Sequence, residues 1–162
     1  MLKKSLTIIT LAVILLSSNS CNKELPEIGG TSAQSLANEW WVGIYQGTTN
    51  LYGAGHLYKL ITSNTAANTN QIWVDDQHHL WDFKVKAQAD FNALTFSAAK
   101  AQNEYYNITV DITNGKVIKG AGRSKSGNVT DSIYMDVKFS DDPTNTYQIK
   151  GHSRTSFIED EY

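Results

Sequence analysis

Cysteine, proline and net charge are all scarce in this chain. Cys21 is its only cysteine, so no disulfide within the chain can brace the fold and an apolar core must do that work. Only Pro26 and Pro143 interrupt the backbone. Long runs of extended chain can therefore form without a break. Of the 14 lysines and arginines, Lys3 and Lys4 fall in the N-terminal leader, which leaves 12 basic against 16 acidic side chains, a balance of −4. A mildly acidic chain without a basic cluster fits nucleic acid poorly, and no such partner is expected. Long apolar runs are lacking too, apart from residues 6–16. That run is too short to cross a bilayer as a helix but suits the core of a secretory signal.

Residues 1–20 read as a signal peptide, with Lys3 and Lys4 as its basic region. Cys21 follows Ser17-Ser18-Asn19-Ser20, an arrangement that resembles the lipobox of bacterial lipoproteins. Lipidation of Cys21 is expected, with the mature protein tethered to a membrane but not spanning it. The expected location is the cell envelope, on the outer membrane or cell surface. Residues 21–30 read as a lipidated flexible tether and residues 31–162 as one domain.

What the chain does have is alternation. In residues 80–88, Trp81, Phe83, Val85 and Ala87 share one parity, while Asp82, Lys84, Lys86 and Gln88 share the other. A period of two is a strand with one buried and one wet face. Ile72 and Val74 alternate with Trp73 just before, so residues 71–88 read as a β-hairpin turning through Asp75, Asp76, Gln77, His78 and His79. Further strands are predicted over 39–46, 51–63, 91–98, 104–113, 116–123, 131–140 and 146–152. Asn114-Gly115 is the strongest short hairpin signal, because both residues tolerate a positive φ. Residues 31–38 could form a short helical segment.

No helical crossover separates these strands, so the sheet is predicted to be antiparallel and up-and-down. About eight strands must close or split into layers, and glycines at 43, 53, 55, 120 and 122 favour closure into a barrel.

In this order, several stretches make the chain resemble a family of bacterial lipoproteins catalogued as lipid-binding putative hydrolases. They are Glu39-Trp40-Trp41-Val42, Ile72-Trp73-Val74-Asp75-Asp76, Trp81-Asp82-Phe83-Lys84-Val85, Thr113-Asn114-Gly115-Lys116-Val117, Phe139-Ser140-Asp141-Asp142-Pro143 and the ending Arg154-Thr155 to Tyr162. The resemblance implies a calycin-like (lipocalin-like) β-barrel and an apolar ligand. Trp40, after a short helical segment, resembles the tryptophan that closes one end of lipocalin barrels, although Glu39 stands where a glycine is usual. The family's title adds hydrolysis by analogy of fold, and fold alone does not establish an activity.

Candidate chemistry is sparse. His78 and His79 are adjacent and fall in a turn, which suits solvated residues better than a ligand set, so no metal site and no cofactor are expected. A Gly-x-Ser-x-Gly elbow is missing, and no catalytic residue is assigned. A hydrolase would need His56 or His152 within reach of both a serine and an acid. The aromatic residues carry more. Tyr45, Tyr58, Trp73 and Trp81 are candidate ligand-binding residues, as are Phe83, Tyr106 and Tyr134, because such rings can line a cavity wall.

The leading expectation is a lipid-anchored, monomeric binding protein whose barrel holds a small apolar or amphipathic, lipid-like ligand in its mouth. A barrel packed solid from end to end would overturn it. The alternatives are an interaction or structural lipoprotein that shows a glycan or protein an aromatic face, with Trp41 and Trp73 exposed together, and, third, a hydrolase.

Overall fold

The computed structural model describes residues 29–162. The expected leader, Cys21 and most of the tether lie outside them. Nine strands follow one another: β1 (Asn38–Gln46), β2 (Thr49–Asn50), β3 (Tyr58–Asn64), β4 (Gln71–Asp75), β5 (Lys84–Asp90), β6 (Thr95–Gln102), β7 (Thr109–Arg123), β8 (Val129–Phe139) and β9 (Tyr147–Ser153). Every pairing is antiparallel, and β2 is a two-residue appendage on β1. The other eight form an up-and-down sheet that closes on itself where β1 pairs with β9, from Trp40↔Ser153 to Tyr45↔Gln148. Closure leaves the barrel without free edges.

The hairpin predicted over residues 71–88 is present, with Gln71 opposite Gln88 and Trp73 opposite Lys86. Its second strand starts later than predicted, at Lys84. Trp81 and Asp82 belong to the turn, where Gln77, His78 and Asp82 have positive φ.

Two other local readings are corrected. Asn114-Gly115 is no hairpin turn, because β7 runs through it and bulges there, its register against β8 shifting between Thr113 and Lys116. Asn114 does take a positive φ of 54°. The local preference is thus met by a bulge instead of a reversal. Residues 51–57 form a loop, not the first half of a strand. Gly53 and Gly55 have φ of 99° and 78°, and Asn50 braces the loop by accepting the Tyr52 amide and donating to the His56 carbonyl.

Inward-facing side chains fill the barrel. Val42, Ile44, Leu60, Ile72, Val74, Phe83, Val85, Val110, Ile112, Met135, Val137, Phe139 and Ile149 all show 0% exposure. Any of these bordering a void that admits water would show accessible surface, so the interior is packed in the manner of an ordinary core. Room for a ligand is therefore sought at the ends of the barrel, beyond these side chains.

Each end is closed differently. The turns β3–β4, β5–β6 and β7–β8 lie at one end, which we call the base. There a 3-10 turn, Ser32–Ser35, crosses the opening, with the Ser35 hydroxyl donating to the Phe91 carbonyl and the Ser32 amide to the Asn68 side chain. Trp40 sits beneath it, 1% exposed, donating from Nε1 to Thr62 Oγ1 at 2.8 Å. The Thr62 hydroxyl in turn donates to the Leu36 carbonyl. The short helical segment expected before Trp40 is present as this 3-10 turn. The chain returns to the base after β9, where Arg154 pairs with Glu39 and Glu161 and a second 3-10 turn, Ile158–Asp160, follows.

Candidate functional site

The opposite end, the rim, carries the connections β1–β3, β4–β5, β6–β7 and β8–β9. Its organiser is Asp76, which follows the last residue of β4 and is fully buried. Its carboxylate accepts four backbone N–H groups: His78 and Phe83 at 3.0 Å, Leu80 at 3.1 Å and Trp81 at 2.7 Å. One side chain therefore satisfies the donors of a tight turn that has no ladder of its own. The turn is held rigidly, and Trp81 with it.

Trp81 lies flat on Phe139, ring centroids 4.6 Å apart and planes 4° apart, and tilts against Tyr147 at 5.1 Å. Phe83 meets Phe139 from below at 5.6 Å. Trp81 thus closes the rim as Trp40 closes the base, but it is only half-buried and keeps surface toward solvent. Around it Tyr52, His78, His79, Leu80, Asp82 and Tyr106 line a recess of about 380 Å³. That volume falls at the lower end of the range of about 300–1,000 Å³ in which small-molecule sites lie.

Hydrogen bonds fix the aromatic walls. Tyr106 donates to Asp141 Oδ2 at 2.9 Å, Tyr105 to Asp75 Oδ1 at 2.6 Å and Tyr52 to the Leu80 carbonyl. Tyr147 donates to Asp142. His78 stacks on Tyr105 with centroids 3.8 Å apart, and its Nδ1 lies 3.4 Å from Asp82 Oδ1. Burial, then the bond to Asp141, pushes the Tyr106 phenol up to about 12. Burial and the nearby Asp76 and Asp82 also raise Tyr52. Burial would raise Asp75, but bonds from Tyr105, the Gln77 amide and Lys84 hold it below the usual carboxylate range. The phenols are thus neutral donors at neutral pH, and Asp75 is an anion neutralised by Lys84, 3.0 Å away. Asp82 in the lining, and Asp141 bonded to the Trp81 and Tyr106 walls, give the recess its acidic side chains.

The structure brings three of the candidate ligand-binding residues to this rim: Trp81 and Tyr106 in the recess, and Tyr58 beside it, against Tyr52 and His79. Phe83 lies in the core beneath and is fully buried. The other three are on the outer wall. Lys84 and Lys86 lie over the ring of Trp73, Lys150 over Tyr45 and Lys116 over Tyr134. Tyr134 edges a broader groove of about 770 Å³ where β5–β8 bend, but that groove is walled by exposed polar side chains such as Gln88, Asp90, Ser97 and Asn114. Trp41 and Trp73 do not share an exposed patch. Trp41 is 8% exposed beneath Tyr162, its ring 5.4 Å away.

Sequence reasoning missed His78 and His79 as wall residues and Asp76 as their support. His78 and His79 are indeed exposed turn residues, as their position predicted. For the hydrolase alternative, His56 makes no side-chain hydrogen bond to a serine or an acid among the described residues, and His152 Nε2 is buried without a partner. Among the described residues no group of three or more His, Cys, Asp or Glu converges to hold a metal.

No curated protein matches the chain. A family model described as "Lipid-binding putative hydrolase" matches residues 25–158, nearly the whole domain and the entire barrel. The closed antiparallel barrel agrees with that match, and the chain belongs to this lipid-binding family.

Proposed function

We propose that the protein is a membrane-anchored lipoprotein that binds a lipid-like amphiphile at the rim of its barrel, against Trp81. The observation that carries this reading is Trp81 itself. It is a large ring held flat over the end of the core with one side open to a recess of ligand size. An alkyl chain laid on that surface would extend the packed interior outward, since the barrel has no room within.

The charges around the recess narrow the head group. Asp82 lines it, Asp141 accepts from its Trp81 and Tyr106 walls, and no lysine or arginine lines it. A neutral or cationic head is therefore favoured over a carboxylate or phosphate monoester, which these anions would repel. Imidazole N–H groups at the wall can donate to hydroxyl or ester oxygens, and the phenol oxygens can accept from a hydroxyl. The anchor through Cys21 supports the same reading by keeping the rim in an envelope where such amphiphiles are abundant.

Calorimetric titration of the full chain with dodecyltrimethylammonium and dodecylphosphocholine, below their micelle concentrations, tests this. Saturable binding is expected for both, with dodecanoate weaker. Trp81→Ala should weaken it about tenfold or more, because burying such a ring against a ligand contributes about 1.5–3 kcal/mol. Binding that is absent, or unchanged in Trp81→Ala, would overturn the rim as the site.

A further inference from the structure

The segment after β9 is pinned by polar bonds and bares two apolar side chains. Asp160 is 1% exposed and accepts the Ser126 amide and the Thr155 hydroxyl, both at 2.7 Å, while Ser156 and Glu159 are exposed. Arg154 clamps the segment to Glu39 and Glu161. Phe157 and Ile158 face outward, 57% and 89% exposed, whereas Tyr162 packs on Trp41. Val129, where β8 leaves the loop that holds Asp160, is 65% exposed. These are the most exposed large apolar residues among those described, and they are fixed in place by buried polar bonds. A rigidly presented apolar group of this kind marks an interaction surface.

The chain's own connectivity says what meets it. In an up-and-down barrel the β7–β8 turn and the end of β9 lie at the base, and so does the entry of the chain, because the 3-10 turn Ser32–Ser35 is bonded to the β3–β4 and β5–β6 connections. Residues 22–28 alone separate Cys21 from Gly29. The eight steps from Cys21 to Gly29, at about 3.5 Å each, span at most about 28 Å. An acyl group on Cys21 would hold the base against the bilayer and leave the rim pointing away.

We propose that the base is a membrane-docking face, in which Phe157, Ile158 and Val129 enter the interfacial zone of the bilayer that holds the Cys21 lipid. Aromatic and aliphatic side chains gain by leaving water at that depth, and Arg123 and Lys125 beside them can stay at head-group level. The inference rests on the anchored reading and goes beyond it, because an anchor by itself fixes no orientation.

Cys21 is the only cysteine and would be acylated, so single cysteines introduced elsewhere can be labelled cleanly. The lipidated full chain carrying Ile158→Cys, Val129→Cys or, at the rim, Leu51→Cys is labelled with the environment-sensitive dye NBD. It is then reconstituted on phosphatidylcholine–phosphatidylglycerol vesicles. The expected result is a blue shift and severalfold brighter emission at 158 and 129, with no change at 51. Equal emission at both ends on protein that co-floats with vesicles would overturn docking and leave the anchor intact. Wild type that fails to co-float, like Cys21→Ser, would overturn both. Bright label at 158 without vesicles, together with a doubled mass, would assign the face to a second copy and overturn the membrane.

Discussion

Asp76 shows how much a single turn residue can carry. Its two oxygens accept four amides with no solvent to share them, so Asp76→Asn would present an NH2 group to two of those donors. Two buried N–H groups left unpaired cost about 1–3 kcal/mol each. Urea denaturation should therefore show a loss of about 3 kcal/mol. Near-ultraviolet circular dichroism should report that the Trp81 environment has loosened before global unfolding. From sequence, Asp75-Asp76 was legible as a turn pair, since aspartate caps its own reversals. That Asp76 is buried and central was not legible, because its partners are defined only once the turn folds over it.

Among the elements, the strands were read well where one face is wet. In β5 and β8 the alternation of buried and exposed positions follows the apolar pattern almost residue by residue. The failures are at punctuation. Asn114-Gly115 signals a positive φ, but whether the chain then reverses depends on what lies across the sheet. Here the inward face of Gly115 is covered by the ring of Phe96 on β6, leaving no space for a Cβ, and the strand continues. The segment after β9 is likewise an element that no period announces, although its ending was part of the family resemblance. It covers His152, whose ring packs 5.8 Å from Tyr162. Burial lowers the His152 pKa below the ordinary 6.5, with the Asp160 carboxylate opposing in part. The unfolded chain therefore takes up this proton first, and stability falls as pH drops below about 6.5. Melting temperatures between pH 7.5 and 5.5 should decline more steeply in wild type than in His152→Gln.

For the whole molecule, the decisive event is closure of β1 on β9. Gly151 lies where the two strands approach most tightly, and a Cβ there would overlap the Trp41 carbonyl oxygen and come within 2.8 Å of the Val42 Cα. Backbone cannot swing aside as a flexible side chain can, so Gly151→Ala should cost about 3 kcal/mol or more by urea denaturation. Gly29→Ala, with nothing within 4 Å of its added Cβ, should cost little. With closure the two ends become distinct, one sealed by Trp40 and carrying the chain entry, the other finished by a half-open Trp81. By itself the sequence determined the strand periods, the antiparallel class and the family, because these depend on local alternation and short turns. Only the tertiary structure decided that the barrel is filled, that Trp81 and Tyr106 meet Tyr52 at one rim, and that Trp73, Tyr45 and Tyr134 face outward. Parity assigns a residue to one of two faces, but only closure decides which face becomes the inside and how much room the side chains leave there.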